Sequence, residues 1–156
     1  ELLHNKIDLA VSRFKPNSNE IVSKLFFSSH SHLVIHKKWL SEQSKSLVLN
    51  NPGKMKTIPA MVYGENAELF KEWTKYLKTN YNEFNIKYSC EDWVILLQLI
   101  ENGKGFSIMP DTIRSTSPDV IHYPIEKNLV PSNPHYFLYH KSLLKFPAFK
   151  NLFTKF

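Results

Sequence analysis

The chain has 156 residues, of which 42% are hydrophobic and 22% charged, and its formal net charge is +6. This length can bury a substantial core, and the composition is that of an ordinary globular protein rather than a disordered one. No apolar run approaches the roughly 20 residues that a membrane-spanning helix needs. The first residues lack the basic start and apolar block of a signal peptide. The single cysteine excludes an internal disulfide and fits a reducing compartment, so we expect a cytoplasmic protein.

The positive charge comes mainly from lysines scattered along the chain, which has only two arginines, Arg13 and Arg114. Scattered lysine is typical of a solvated surface, whereas a nucleic-acid track needs basic side chains clustered on one face. We therefore do not expect this chain to bind DNA directly.

The first half of the chain predicts several short strands. Ile7 to Val11 alternates between apolar and polar residues, and Ile21 to Phe27 is extended and apolar. His32 to His36 and Ala60 to Tyr63 are two further short apolar segments, and the second of them ends at Gly64.

The clearest amphipathic helix is predicted over residues 65–79. Acidic Glu65 and Glu68 lie in its first turn and Lys78 in its last, as the helix dipole favours. Its apolar stripe repeats at helical spacing and consists of Leu69, Phe70, Trp73, Tyr76 and Leu77.

The segment Cys90 to Pro110 predicts a helix followed directly by a strand. The helix runs to about Ile100, Asn102 and Gly103 end it, and Gly105 begins the turn into the strand Phe106 to Met109. Because the helix is apolar on most of its surface, we expect it to be buried. This pattern indicates an αβ unit of an open sheet, and such sheets bind ligands outside the carboxyl ends of their strands.

The remaining pattern completes an α/β order of elements. Strands are predicted at Phe84 to Ser89, Val120 to Ile125 and His135 to His140, and an amphipathic helix at Phe146 to Phe156. The chain opens in what looks like the last turn of a helix and passes at once into a strand, which is typical of a domain entered partway through.

Five segments in a characteristic order suggest a family. They are Leu3–Val11 (LHNKIDLAV), Leu25–Ile35, Ile58–Tyr63, Cys90–Pro110 and His135–Phe156. Together they resemble the effector-binding domain of LysR-type transcriptional regulators over essentially the whole chain.

The resemblance implies an α/β, two-lobed fold of the periplasmic-binding-protein-like type 2 class. Residues 31–126 would form the complete second lobe, and residues 1–30 with 127–156 would form part of the first. In the family, further elements of the first lobe and a DNA-binding helix-turn-helix would precede Glu1. The resemblance therefore implies an N-terminally truncated chain from which the DNA-binding domain is absent.

The implied function is that of a sensor, not of an enzyme. A small anionic metabolite would bind in the cleft between the lobes and so control DNA binding and transcription. The protein would be a homodimer that contacts DNA only through the missing domain, with no cofactor and no membrane partner. The alternative is a solute-binding protein of a transporter. A metabolic α/β enzyme is a third possibility, but no catalytic pair is evident.

Two predicted helix starts, at Gly64–Asn66 and Cys90–Asp92, are candidate anion sites because backbone N–H groups there are unpaired. In the alternative interpretation, the acidic residues Glu65 and Asp92 satisfy these N–H groups themselves. The resemblance also implies that two residues after the first strand lie at the cleft edge. The candidate ligand contacts are Ser12, Arg13, Tyr63, Gly64, Asn66, Asp92, Trp93 and Met109.

Other chemistries are not favoured. His30, His32 and His36 could share a strand face, but His36 would lie about 13 Å beyond His32, so no metal site is expected. Cys90 has no second cysteine to resolve an oxidised form. The glycines at 103 and 105 follow a helix rather than a strand, which argues against a phosphate-binding loop.

Overall fold

A computed structural model of the chain describes residues 2, 6–40, 52–125 and 132–153. The chain forms two compact units, unit 1 (residues 1–29 and 132–156) and unit 2 (residues 30–131). The strands are β1 (Leu9–Ser12), β2 (Ile21–Ser29), β3 (Ser31–His36), β4 (Ala60–Tyr63), β5 (Ile86–Cys90), β6 (Phe106–Pro110), β7 (Val120–Pro124) and β8 (Asn133–His140). The α-helices are α1 (Pro52–Met55), α2 (Glu68–Tyr76), α3 (Trp93–Glu101) and α4 (Pro147–Phe153).

Unit 1 contains a three-stranded sheet in the order β1-β8-β2, in which the last strand of the chain lies in the middle. Both pairings are antiparallel, and Tyr139 of β8 lies between Leu9 of β1 and Val22 of β2. Ile21, Leu138 and Tyr139 are its buried apolar residues among those described. The ring of Phe149 in α4 packs edge-on against Tyr139.

Unit 2 contains a five-stranded mixed sheet in the order β5-β4-β6-β3-β7. β4 runs parallel to β5 and β6, whereas β3 is antiparallel to β6 and β7. Side chains alternate between the faces of a strand, so Leu33 and Ile35 join the apolar cluster on one face while Val34 joins the cluster on the other. Phe70 of α2 packs into the first cluster and Leu96 of α3 into the second, so both faces of this sheet are covered.

The junction between α3 and β6 forms as the glycine pattern predicts. Gly103 has a φ of 67°, and the amide of Lys104 bonds back to the Leu99 carbonyl at 2.9 Å, which ends the helix. Gly105 lies against Pro59, where a Cβ would be 1.9 Å from the Pro59 carbonyl oxygen. Glycine at 105 therefore permits a close backbone approach that another residue could not make.

The predicted α/β class is confirmed, with two sheets and α-helices in chain order. Several predicted boundaries are wrong. The helix predicted over 65–79 spans Glu68–Tyr76, and the helix predicted from Cys90 begins at Trp93, because Cys90 is the last residue of β5. The last helix spans Pro147–Phe153. Leu3 and Phe156, which bound the segments that carry the family resemblance, lie outside the described residues.

The expectation that α3 is buried on most of its surface is also wrong. Leu96 and Ile100 are fully buried, but Val94 and Ile95 are 60% and 47% exposed. One side of the helix packs on the sheet and the other does not. None of the described helices is long and apolar enough to pass through a membrane.

Candidate functional site

The carboxyl ends of three strands of unit 2 lie at one edge of its sheet. β4 is parallel to both β5 and β6, so Tyr63, Cys90 and Pro110 end their strands on the same side. Tyr63 pairs in register with Cys90, and the amide of Gly64 donates to the Cys90 carbonyl at 3.0 Å. We call this edge, with the turns that follow β4 and β5, the strand-end rim.

At the end of β5, Asp92 caps helix α3. Its Oδ1 atom accepts hydrogen bonds from the backbone N–H groups of Val94 at 2.7 Å and Ile95 at 3.3 Å. A carboxylate at the N-cap position satisfies two donors that the helix cannot pair internally. The alternative interpretation therefore holds for Asp92, because its own carboxylate occupies the N–H groups that a ligand anion would need.

At the end of β4, a turn separates the strand from helix α2. Gly64 has a φ of 65°, and the Ala67 amide donates to the Gly64 carbonyl at 3.3 Å. Ala67 is the N-cap residue, in a left-handed conformation and with no side-chain hydrogen bond. The prediction that the helix starts at Gly64–Asn66 is wrong, and Asn66 lies exposed in the turn. The first turn of α2 has no capping side chain at its N-cap.

Two aromatic rings of the rim stack on each other. The ring centroids of Tyr63 and Trp93 are 4.2 Å apart with an interplanar angle of 17°, and Tyr63 is 39% exposed. Both residues were predicted as ligand contacts, but their stacking was not. The register of β4 and β5 is the signal that could have indicated the stacking. Tyr63 pairs with Cys90, and Trp93 follows Cys90 by three residues, so the two rings lie near each other. The pair forms a flat, partly exposed apolar surface.

Met109, another predicted contact, lies in the core of unit 2. It is fully buried in the cluster that contains Val34, Leu96 and Ile100, and it pairs with His32 across β6 and β3. The burial follows from the packing of α3 over this face of the sheet. We do not include Met109 among the residues proposed below to contact a ligand.

The remaining predicted contacts lie in unit 1. Ser12 Oγ accepts a hydrogen bond from the Phe14 amide at 3.0 Å, and this bond closes a short turn after β1. The exposed Arg13 donates through Nη2 to the amide oxygen of Asn133, at 2.8 Å. Asn133 was not predicted, because it lies 120 positions away in the sequence. The Arg13–Asn133 bond joins a cation to a neutral amide, so this partner does not neutralise the positive charge of Arg13.

The histidines do not form a metal site in the part of the chain that the structure describes, where no group of three or more metal-ligating side chains converges. His32 is 6% exposed, and its ring lies edge-on to His122 with centroids 6.2 Å apart. Burial lowers the pKa of both imidazoles, and the nearby Arg114 cation lowers it further. Both side chains are therefore held in the neutral form at neutral pH.

The sequence profile of the LysR substrate binding domain matches residues 1–154. Among curated proteins, no sequence matches the chain. Solved structures do match. Full-length CbnR complexed with its target DNA is 22% identical with a TM-score of 0.65, and the match covers 99% of this chain and 52% of that one.

Two effector-binding domains are also similar to the chain. The domain of BenM with its effector benzoate is 13% identical with a TM-score of 0.61, and the match covers 99% of this chain and 72% of that one. The domain of QuiR in complex with shikimate is 16% identical with a TM-score of 0.60, and the match covers 96% and 69%.

The chain spans 52% of that CbnR chain and 49% of full-length BenM, about half the length of each. At these identities the likeness shows the fold, which is the periplasmic-binding-protein-like fold of effector-binding domains. The profile match extends over nearly all of the 156 residues. The chain thus belongs to the LysR substrate-binding domain family.

Proposed function

We propose that the chain is the effector-sensing part of a LysR-type transcriptional regulator and binds a small anionic metabolite without catalysing a reaction. The profile match over residues 1–154 is the observation that carries this function. The family match does not favour the alternative of a transporter's solute-binding protein. The anionic character of the effector has separate support, since two similar domains hold the carboxylates benzoate and shikimate.

The strand-end rim supplies the proposed contacts in unit 2. Tyr63 and Trp93 present a stacked, partly exposed apolar surface to a planar ligand. Gly64 has a positive φ and no side chain, and the position that a Cβ would take lies 3.8 Å from Oε1 of Glu91. Asn66 is exposed in the same turn. Asp92 is proposed to position Trp93 by holding the start of α3 rather than to bind the anion, because its carboxylate is already engaged.

Two features are proposed to attract the negative charge. The N-terminus of α2 carries the partial positive charge of a helix start without a capping side chain at its N-cap, and the Glu68 carboxylate in its first turn offsets part of that charge. In unit 1, Ser12 and Arg13 are proposed contacts, and the guanidinium of Arg13 suits a carboxylate because it can bind both oxygens at once. That the effector lies in a cleft between the lobes follows from the family resemblance alone.

The proposed consequence is a change in subunit arrangement. A ligand that binds one arrangement of a homodimer more tightly than another shifts the population towards the first. In the whole regulator this shift would reposition DNA-binding domains outside the present chain and so change transcription. DNA binding and dimer formation are both parts of the proposal.

A thermal-shift screen of paired ligands tests both the sensing role and the charge. Each small carboxylate is compared with its own amide, and free amino acids are included. A ligand at about 100 times its Kd should stabilise the protein by about 2.7 kcal/mol, and the amide partner should lose this effect. Melting that is unaffected by every compound would contradict the sensing role, whereas equal effects of acid and amide would contradict only the charge.

Variants locate the contacts. Arg13→Ala and Asn66→Ala should each reduce the ligand-induced rise in Tm while leaving the ligand-free Tm nearly unchanged, because both side chains are exposed. Lys145→Ala is a matched control for Arg13, since it removes another exposed cation from unit 1. If Lys145→Ala reduced the rise as much as Arg13→Ala, a specific role for Arg13 would be excluded.

A further inference from the structure

Ser115 ties the segment after β6 to two other elements of unit 2. Its backbone N–H donates to Nε2 of His122 in β7 at 3.2 Å, and its hydroxyl bonds to the Glu101 carboxylate at the end of α3. The same hydroxyl accepts from the Ser117 amide at 3.0 Å. Residues 111–119, here called the 111–119 segment, are therefore held partly through one imidazole nitrogen.

This hydrogen bond exists for only one protonation state of His122. Nε2 can accept the Ser115 N–H only while it carries no proton, so the neutral ring has its hydrogen on Nδ1. A second proton would place an N–H on Nε2, facing the N–H of Ser115. The bond would be lost, and two donors would oppose each other across the contact.

The surroundings offer the protonated ring little compensation. The Nδ1 atoms of His122 and His32 are buried and have no hydrogen-bond partner among the described residues. Arg114 in the segment and His32 in β3 each disfavour a positive charge on His122, and His30, just before β3, acts in the same direction on His32. Asp111 opposes them near His32, but its carboxylate also accepts the His30 amide. The Glu101 carboxylate is engaged by Ser115.

We propose that the hydrogen bond from the Ser115 N–H to Nε2 of His122, here called the fastening, holds the 111–119 segment against the sheet and breaks in acid. His32 lies beside His122 and supports this response. The two ends of the segment keep other backbone hydrogen bonds, from the Asp111 amide to the His30 carbonyl at 2.7 Å and from the Lys37 amide to the Asp119 carbonyl at 2.8 Å, so the release concerns the middle of the segment around Ser115. The inference does not depend on the proposed effector, because it concerns only the proton.

The direction of the pH dependence follows from the environment. The pKa of both histidines is lowered below the ordinary histidine value of 6.5, chiefly by burial. The released form therefore binds more protons than the fastened form below about pH 6.5. The fastening is complete above that pH and is lost as the pH falls through the lowered pKa of His122.

Amide hydrogen exchange of Ser115, measured by NMR between pH 5 and 8 and corrected for intrinsic exchange, tests the proposal. The corrected rate should rise on acidification by up to about tenfold per pH unit, as expected for one coupled proton. His122→Gln should abolish the rise, since a glutamine oxygen can accept the same N–H but does not titrate. His36→Gln is the matched control, because His36 also accepts a backbone N–H, that of Lys38 at 3.1 Å.

Several results would overturn the proposal. One is a corrected Ser115 exchange rate that does not rise in acid. The others are a rise in this rate that persists in His122→Gln and a rise that disappears in His36→Gln. If circular dichroism at pH 7.5 shows that His122→Gln is unfolded, His32→Gln replaces it. Removing the neighbouring imidazole should make the pKa of His122 in the fastened form less depressed, so the total rise in the corrected rate on acidification should be smaller, and an unchanged rise would count against the proposal.

Discussion

Two strands with similar apolar runs are buried to opposite degrees in the two units. In unit 2, Leu33, Val34 and Ile35 of β3 are consecutive and fully buried. In unit 1, Leu25, Phe26 and Phe27 of β2 are also consecutive, but they are 55%, 41% and 36% exposed. Hydrophobicity of the strand alone therefore does not decide its burial.

The difference lies in what covers each sheet. Consecutive side chains point to opposite faces, so a continuous apolar run is buried only if both faces are covered. In unit 2, α2 covers one face and α3 the other. In unit 1, the described helix α4 reaches the sheet through the contact of Phe149 with Tyr139. Substitutions in unit 2 should therefore cost more stability than equivalent ones in unit 1.

The largest effect is expected from Gly105→Ala in unit 2. The added Cβ would lie 1.9 Å from the Pro59 carbonyl oxygen, and the φ of 155° is unfavourable for a residue with a side chain. Separating the two backbones should lower the free energy of unfolding by at least about 4 kcal/mol. Urea denaturation followed by circular dichroism measures the loss, or shows that the variant does not fold.

Gly64→Ala is the control for Gly105→Ala. Its φ is 65°, but the nearest atom to the new Cβ, Glu91 Oε1, is 3.8 Å away, an ordinary contact. Only backbone strain remains, at about 1–2 kcal/mol. Equal losses in the two variants would mean that close packing at Pro59 is not what requires glycine at 105.

The next effect compares the two units directly. Leu96→Ala removes a fully buried side chain on the face of α3 that packs against the sheet. It should lower the free energy of unfolding by about 3 kcal/mol, because a cavity remains. Leu25→Ala in unit 1 removes a side chain that is 55% exposed and should cost about 0.5 kcal/mol or less. Both values come from the same urea denaturation series.

Val94→Ala controls for the helix itself, since Val94 is 60% exposed two positions before Leu96. It should leave the free energy of unfolding within about 0.5 kcal/mol of the original. A loss for Leu25→Ala as large as that for Leu96→Ala would contradict the comparison, because it would show that β2 is covered as fully as the core of unit 2.

The parts of the fold that local chemistry determines could be predicted. The stop at Gly103 and the turn at Gly105 follow from residues that tolerate positive φ, and the strand after them is where the pattern placed it. The start of α2 could not be predicted, because Ala67 adopts a left-handed conformation that alanine rarely adopts and that leaves no signal in the sequence. The apolar strand that contains Met109 is as buried as its pattern indicates, but that the packing of α3 leaves Met109 no exposed surface has no local signal in the sequence.

For the candidate site, the sequence suggests individual contact residues but not how they are arranged. The strand-end rim follows from parallel pairing, so Tyr63 and Trp93 could be placed together in principle. The bond between Arg13 and Asn133 joins positions 120 apart and has no signature in a single sequence. The bond between Ser115 and His122 spans only seven positions but depends on the register of β7.

A smaller effect than that of Leu96→Ala is expected from Asp92→Ala at the rim of unit 2. The substitution removes the acceptor for the Val94 and Ile95 N–H groups and should cost about 1 kcal/mol, as is typical of an N-cap. Urea denaturation measures this cost, and Glu91→Ala, which removes a neighbouring exposed carboxylate, should change stability by less than about 0.5 kcal/mol.

Asp92→Asn keeps the acceptor oxygen and should restore most of the stability, because asparagine caps helices nearly as well. If Asp92→Asn were as unstable as Asp92→Ala, the charge at the helix start would matter more than the hydrogen bonds. Asp92 would then act on the dipole of α3, and the rim would depend on that negative charge.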